Sequence, residues 1–187
     1  MIRTITAAAL ALLVLLALPA QATEAGWALL REGGHVVLLR HAYTLGTTDA
    51  EAFDIEDCAT QRNLSDRGKL QARKLGALLA ARAAPVEKVY TSRLCRAQST
   101  AELAFQRIPI EAFPPLDPPP GDAEYGAESR RAVIDLVRGY RGSDNIVLVT
   151  DLVTIQALTG RTAREGEALI VRPGEDMLSV QARIIFN

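Results

Sequence analysis

An α/β fold, three-layer α/β/α with a mainly parallel central sheet and a C-terminal hairpin, is what this sequence predicts. Three observations lead there. Two unbroken apolar runs, "HVVLLR" and "NIVLVT", have the composition of strands covered on both faces of a parallel sheet. Strand-like segments alternate with segments whose apolar residues recur at helical spacing, the order that builds such sheets. The chain then closes on "EALIVR" and "MLSVQARII" around the turn "PGED", which reads as a hairpin.

Taken in order, the first segment stands apart. Residues 1–22, "MIRTITAAALALLVLLALPAQA", begin with a short positive region at Arg3 and continue as an apolar core from Ala7 to Leu18. They end in Ala20-Gln21-Ala22, a small-residue cleavage pattern. The apolar run falls short of the about 20 residues that a membrane span needs. We read a secretory signal peptide cleaved after Ala22, an uncleaved anchor being the alternative, and a single domain over residues 23–187. "EAGWALLREGG" reads as a helix stopped by Gly33 and Gly34. "HVVLLR" follows as the first strand, and a polar loop runs through "TLGTTDAEAFDIEDCATQRN". Ser65 can cap the next helix, with Leu70, Leu75, Ala77 and Leu78 as its apolar stripe. "VEKVYT" is the second strand, "RLCRAQSTAELAF" the second long helix and "IPIEAF" a short third strand. The proline-rich "PPLDPPPGD" cannot join a helix or a central strand. "AESRRAVIDLVRGY", "NIVLVT" and "LVTIQALTG" then give a helix, a buried strand and a short helix ended by Gly160.

Bulk composition narrows the function classes. Hydrophobic residues make up 49% of the chain and the formal net charge is −1, the profile of a folded domain with its own core. Near-neutral charge without a basic block argues against nucleic acid as a partner. Nothing after residue 22 has the length to span a bilayer, and no feature speaks to oligomeric state. Export would place Cys58 and Cys95 where a disulfide persists; the alternative is two unpaired thiols.

In open α/β sheets ligands bind beyond the carboxyl ends of the strands. Three such ends carry polar residues: Arg40-His41, Thr91-Ser92-Arg93 and Thr150-Asp151. An imidazole can attack phosphorus where cations neutralise the phosphoryl oxygens, which makes His41 beside Arg40 a candidate nucleophile. His35, the other histidine, lies at the far end of the same strand, roughly 20 Å away at about 3.3 Å per residue. It reads as a strand-entry residue. Arg93 and Arg96 open the next helix against its dipole, a placement that makes sense if an anion also sits there.

The ordered set of motifs resembles the histidine phosphatase superfamily, the phosphoglycerate-mutase-like fold. "LLRHAYT" resembles its Arg-His-Gly motif, with Ala42 where glycine is usual. "NLSDRGKLQARKLG" is similar to its Leu-Ser/Thr-x-x-Gly-x-x-Gln-Ala helix start, and "VYTSRLCRAQSTAELAF" to its Ser-x-x-x-Arg-Ala-x-x-Thr-Ala segment. "NIVLVTDLVTIQALTG" resembles the strand and helix that carry the family's second active-site histidine. The resemblance implies that His41 becomes a phosphohistidine, that Arg40 and Arg96 clamp the phosphate, and that no metal or other cofactor is needed. Arg93 falls at a variable family position and is at most an accessory contact. The exported relatives also look similar around "EDCATQRNLS" and the cysteine before Arg96, which implies a Cys58–Cys95 disulfide.

Two departures bear on activity. Asp151 stands where the resemblance expects the second histidine. An ionised carboxylate cannot donate to a phosphoryl oxygen, and losing one such donor typically costs about a hundred- to a thousandfold in rate. Asp151 is also placed to N-cap the following helix, the reading that local sequence favours; a third role, as a protonated donor beside phosphate, stays open. In place of the glutamate acid of many relatives, "PLDPPPGD" offers Asp117 or Asp122, and Asp117 is the better positional match. The resulting expectation is an exported phosphomonoesterase acting on a small phosphorylated substrate, with activity reduced by Asp151. The alternative is a non-catalytic pseudophosphatase that binds a phosphorylated ligand or partner.

Overall fold

The structure, a computed structural model, describes residues 24–49, 53–119 and 123–186. The expected signal peptide, its expected cleavage after Ala22, and Asp122 lie outside the described residues. A helix over 24–32 (α1) leads into β1 (Val36–Arg40). α2 (Asp66–Ala81), β2 (Val86–Thr91), α3 (Cys95–Ala104) and β3 (Ile110–Ala112) follow. The chain continues with α4 (Ala127–Gly139), β4 (Asn145–Thr150), α5 (Leu152–Thr159), β5 (Glu167–Pro173) and β6 (Leu178–Ile185). The six strands form one sheet in the order β3-β2-β4-β1-β5-β6. β1, β2, β3 and β4 are mutually parallel; β5 runs antiparallel to β1, and β6 antiparallel to β5. The expected mixed α/β sheet with its C-terminal hairpin is therefore present.

Alternate residues of the central strands bury in opposite directions. Val37, Leu39, Val147 and Val149 pack with Trp27, Leu30, Leu75, Leu79 and Ala101, from α1, α2 and α3. Val36, Leu38, Ile146 and Leu148 pack with Val133, Val137, Ile155 and Leu158, from α4 and α5. That two-sided burial explains why "VVLL" and "NIVLV" carry no polar alternation. Gly160 ends α5 in the left-handed conformation, at φ 65°.

Three local expectations are corrected. In α2 the apolar stripe does not run through Leu70 and Ala77, which are exposed; Gly68, Gln71, Ala72, Leu75 and Leu79 face inward instead. The polar Gln71 belongs to that face because its side chain is fully bonded there, so hydrophobicity alone misplaced the stripe. α3 starts at Cys95 rather than at Arg93. β3 spans three residues, all exposed, because it lies on the sheet edge and runs into Pro114-Pro115.

Candidate phosphate site

Parallel pairing of β1 and β4 aligns Arg40 with Thr150, so the next residues, His41 and Asp151, meet at the carboxyl edge of the sheet. The His41 backbone N–H continues the ladder to Thr150 O at 3.0 Å. His41 itself is fully buried. Its Nδ1 lies 2.8 Å from Ala42 O, and a carbonyl only accepts, so Nδ1 carries the hydrogen and donates. Nε2 is thereby the nitrogen turned to the site. It stands 3.3 Å from Asp151 Oδ1 and makes no aligned hydrogen bond.

The turn after His41 is held by the motif residues. Ala42 N–H donates to Thr100 Oγ1, whose hydroxyl donates to Arg96 O. Tyr43 N–H donates to Gln71 Oε1, while Gln71 Nε2 donates to Glu165 O and Phe186 O. Ser65 caps α2 by accepting from Gly68 N–H. A Cβ on Gly68 would lie 1.9 Å from Tyr43 O, so only glycine lets α2 press against this turn. Among the described non-glycine residues only Ala83 has a positive φ. Ala42 thus adopts ordinary backbone geometry and can replace the glycine of the motif.

Arg96, buried at the start of α3, is held between two carboxylates. Its Nε donates to Asp151 Oδ1 at 2.8 Å and its Nη1 to Asp49 Oδ1 at 2.8 Å. Asp151 occupies the N-cap position of α5 but makes no capping bond. The cap expectation is corrected here: the side chain turns to Arg96 and His41, where two cationic or donor groups outcompete the helix N–H groups. Burial would push the Asp151 carboxyl up, yet the contacts with His41 and Arg96 outweigh it and hold the group at about 2, below its ordinary 3.8. Asp151 Oδ2 remains buried without a hydrogen bond.

The rest of the site comes from the loop after β1 and from the start of β5. Arg62 donates to Thr44 Oγ1 and lies 3.8 Å from Asp49 and 3.6 Å from Glu165. Thr44 donates in turn to Glu165 Oε1 at 2.8 Å, and that oxygen is 3.9 Å from His41 Nδ1. Arg40 Nη1 donates to Ala163 O. Burial lowers the Arg40 guanidinium from its ordinary value, opposed by the charges of Glu165 and Asp151. Arg40, Arg62 and Arg96 thus face Asp49, Asp151 and Glu165 around one histidine. Arg40 Nε, Arg62 Nε and His41 Nε2 are all buried without hydrogen bonds, an arrangement that suits an anion with several acceptor oxygens.

Arg93 and Asp117 form a pair of their own. Asp117 accepts from Arg93 N–H and Nε, both at 2.7 Å, and Glu56 lies 3.5 Å from Arg93 Nη1. To act as an acid, Asp117 would have to take up a proton and release Arg93. Cys58 and Cys95 are bonded, with Cα atoms 5.7 Å apart, and Gln61 Oε1 accepts from Cys95 N–H. The bridge fastens the segment bearing Arg62 to the helix bearing Arg96. His35 sits at the opposite end of β1 beside Glu32. Sequence reasoning missed Arg62, Asp49 and Glu165. Arg62 had a weak signal, an arginine just before the Leu-Ser helix start; Asp49 and Glu165 had none.

Residues 36–118 match the family model of the histidine phosphatase superfamily (branch 1). Over 74 residues the chain is 34% identical to the serine/threonine-protein phosphatase Pgam5, mitochondrial, of Drosophila virilis, covering 40% of this chain and 23% of that relative. The chain spans about a quarter of that curated relative and of its Drosophila mojavensis counterpart, at 23% and 24%. The fold is similar to that of the protein histidine phosphatase SixA complexed with tungstate, with TM-score 0.57 and 16% identity over 80% of this chain and 96% of the other. It is equally similar to phosphoserine phosphatase of Entamoeba histolytica in complex with 3-phosphoglyceric acid, with TM-score 0.57 and 15% identity over 80% and 95%. From β1 to the loop after β3 the chain is thus similar in sequence to the histidine phosphatase superfamily (branch 1), and its fold is similar to that of solved phosphatases.

Proposed function

We propose that this protein is a metal-independent phosphomonoesterase acting through His41. The observation that carries the reading is the buried, unbonded Nε2 of His41, with its tautomer set by Ala42 O and guanidinium groups of Arg40, Arg62 and Arg96 around it. The Nε2 lone pair would attack phosphorus as the ester P–O bond breaks, and the departing alcohol oxygen would take a proton. Asp117 is the proposed donor, after it takes a proton from solvent and releases Arg93. Water would then attack the phosphohistidine, break the P–N bond and release phosphate. The substrate is a small phosphorylated compound. The proposed location is the periplasm: residues 1–22 read as a secretory leader, and the Cys58–Cys95 bond supports an oxidising compartment.

A second reading, a pseudophosphatase that binds a phosphorylated ligand without turnover, is favoured by Asp151, proposed as the replacement for the second histidine. An ionised carboxylate 3.3 Å from Nε2 is attractive only with a proton between them. A proton on Nε2 removes the lone pair needed for attack. The test is hydrolysis of p-nitrophenyl phosphate over a range of pH by the native protein, His41→Ala and Asp151→His. A native rate that vanishes in His41→Ala supports the enzyme; equal rates in those two sink it. Turnover that appears only in Asp151→His, with a gain of about a hundred- to a thousandfold, decides for the pseudophosphatase.

A further inference from the structure

We infer that Asp49 is an internal competitor for the phosphoryl site, and that its carboxylate is the group an incoming phosphoryl dianion displaces. The inference rests on the proposed phosphate reading and goes beyond it by naming what must leave for phosphate to enter. Arg96 has its Nε and Nη1 taken by Asp151 and Asp49, at 2.8 Å each. Asp49 also spans to Arg62, accepting from its backbone N–H at 3.2 Å and lying 3.8 Å from its Nε. Two carboxylates thus occupy guanidinium donors that a phosphoryl group would need, Asp151 beside the imidazole and Asp49 between Arg96 and Arg62. A dianion cannot join them without like-charge repulsion in a buried setting.

The two carboxylates are not equally free to go. Asp151 is tied to the end of β4, with its side chain 7% exposed and in contact with both His41 and Arg96. Asp49 is on the loop after β1, with its side chain 21% exposed and without a contact to His41. Water can solvate Asp49 once it leaves, whereas Asp151, at the end of β4, would lose its charged partners while still buried. Withdrawal of Asp49 frees Arg96 Nη1. That donor joins the unbonded Nε atoms of Arg40 and Arg62, enough to hold three phosphoryl oxygens. Asp151 stays on Arg96 Nε, so anion binding and turnover are governed by different residues: Asp49 sets affinity and Asp151 sets rate.

The experiment measures orthovanadate and inorganic phosphate binding by calorimetry to the native protein, Asp49→Asn and Asp151→Asn. Removing the competitor should tighten binding to Asp49→Asn by about tenfold or more, the scale of one charge-assisted hydrogen bond. Hydrogen exchange on the native protein supplies a second reading that needs no variant. The Arg62 amide, bonded to Asp49 Oδ1, should exchange faster when anion is bound, the opposite of ordinary ligand protection. Equal or weaker binding by Asp49→Asn, or an Arg62 amide that slows with anion, overturns the inference while leaving the phosphate site intact. No anion binding by any of the three proteins overturns the phosphate reading itself.

Discussion

Asp151 is buried at the carboxyl end of β4, 3.3 Å from His41 Nε2 and 2.8 Å from Arg96 Nε. It lies where a helix cap was expected, and its contacts with His41 and Arg96 turn that position into part of the charge network. The acid limb of stability should show it. The carboxyl is held at about 2 in the folded chain against an ordinary 3.8, a depressed value. Its contribution is therefore fully present above about pH 4 and is lost as pH falls toward 2. We predict that Asp151→Asn flattens acid unfolding, followed by far-UV circular dichroism, by roughly 2 kcal/mol across that window. An unchanged acid limb would mean that the ion pair adds nothing to the fold. His41 and Arg40 were legible at this scale because they sit together at a strand end. Asp49 and Glu165 were not, since each reaches the site from a loop whose course no periodicity foretells.

At the scale of elements, the site is held by how closely α2 and α3 approach the turn after β1. Gly68 meets Tyr43 O, and a Cβ on Gly76 would lie 2.0 Å from Ala104 O on α3. Backbone atoms cannot yield as a flexible side chain would. Gly76→Ala should force the two helices apart and cost about 1–3 kcal/mol, read as a lowered urea midpoint. Gly68→Ala should cost a similar amount and also weaken anion binding, because it pushes on the Tyr43–Gln71 link beside His41. The two helices were visible as helices in the sequence. Which face of α2 turned inward was not, because Gln71 is buried through its bonds to Tyr43, Glu165 and Phe186 rather than through apolar surface.

For the whole molecule, the Cys58–Cys95 bond is a covalent tie between the long loop and the sheet-bound α3, across a sequence separation of 37. In the chain-entropy model a loop of this size restricts the unfolded chain by roughly 3 to 4.7 kcal/mol. Cys58→Ser with Cys95→Ser should lower unfolding free energy by about that much in urea, with helix and sheet content kept under native conditions. A loss below about 1 kcal/mol would show that the loop is held by its other bonds, notably Gln61 to Cys95 N–H, Asp54 O and Ile55 O. No helix among the described residues is long and apolar enough to cross a membrane.

The order of strands and helices, the doubly covered centre of the sheet and the closing hairpin were determined by the sequence alone. Apolar run length and helical spacing are local properties that burial on two faces demands. The motifs in their fixed order also singled out His41, Arg40 and Arg96, which the fold places near one another at the carboxyl edge of the sheet. What only the tertiary structure decided is the charge balance around His41. Parallel pairing of β1 with β4 brings Asp151 to the imidazole, the loop delivers Asp49 and Arg62, and the antiparallel return into β5 delivers Glu165. Electrostatic contacts depend on distance through space, which chain order does not encode, and so the carboxylates that surround His41 and its arginines became visible only once the chain was folded.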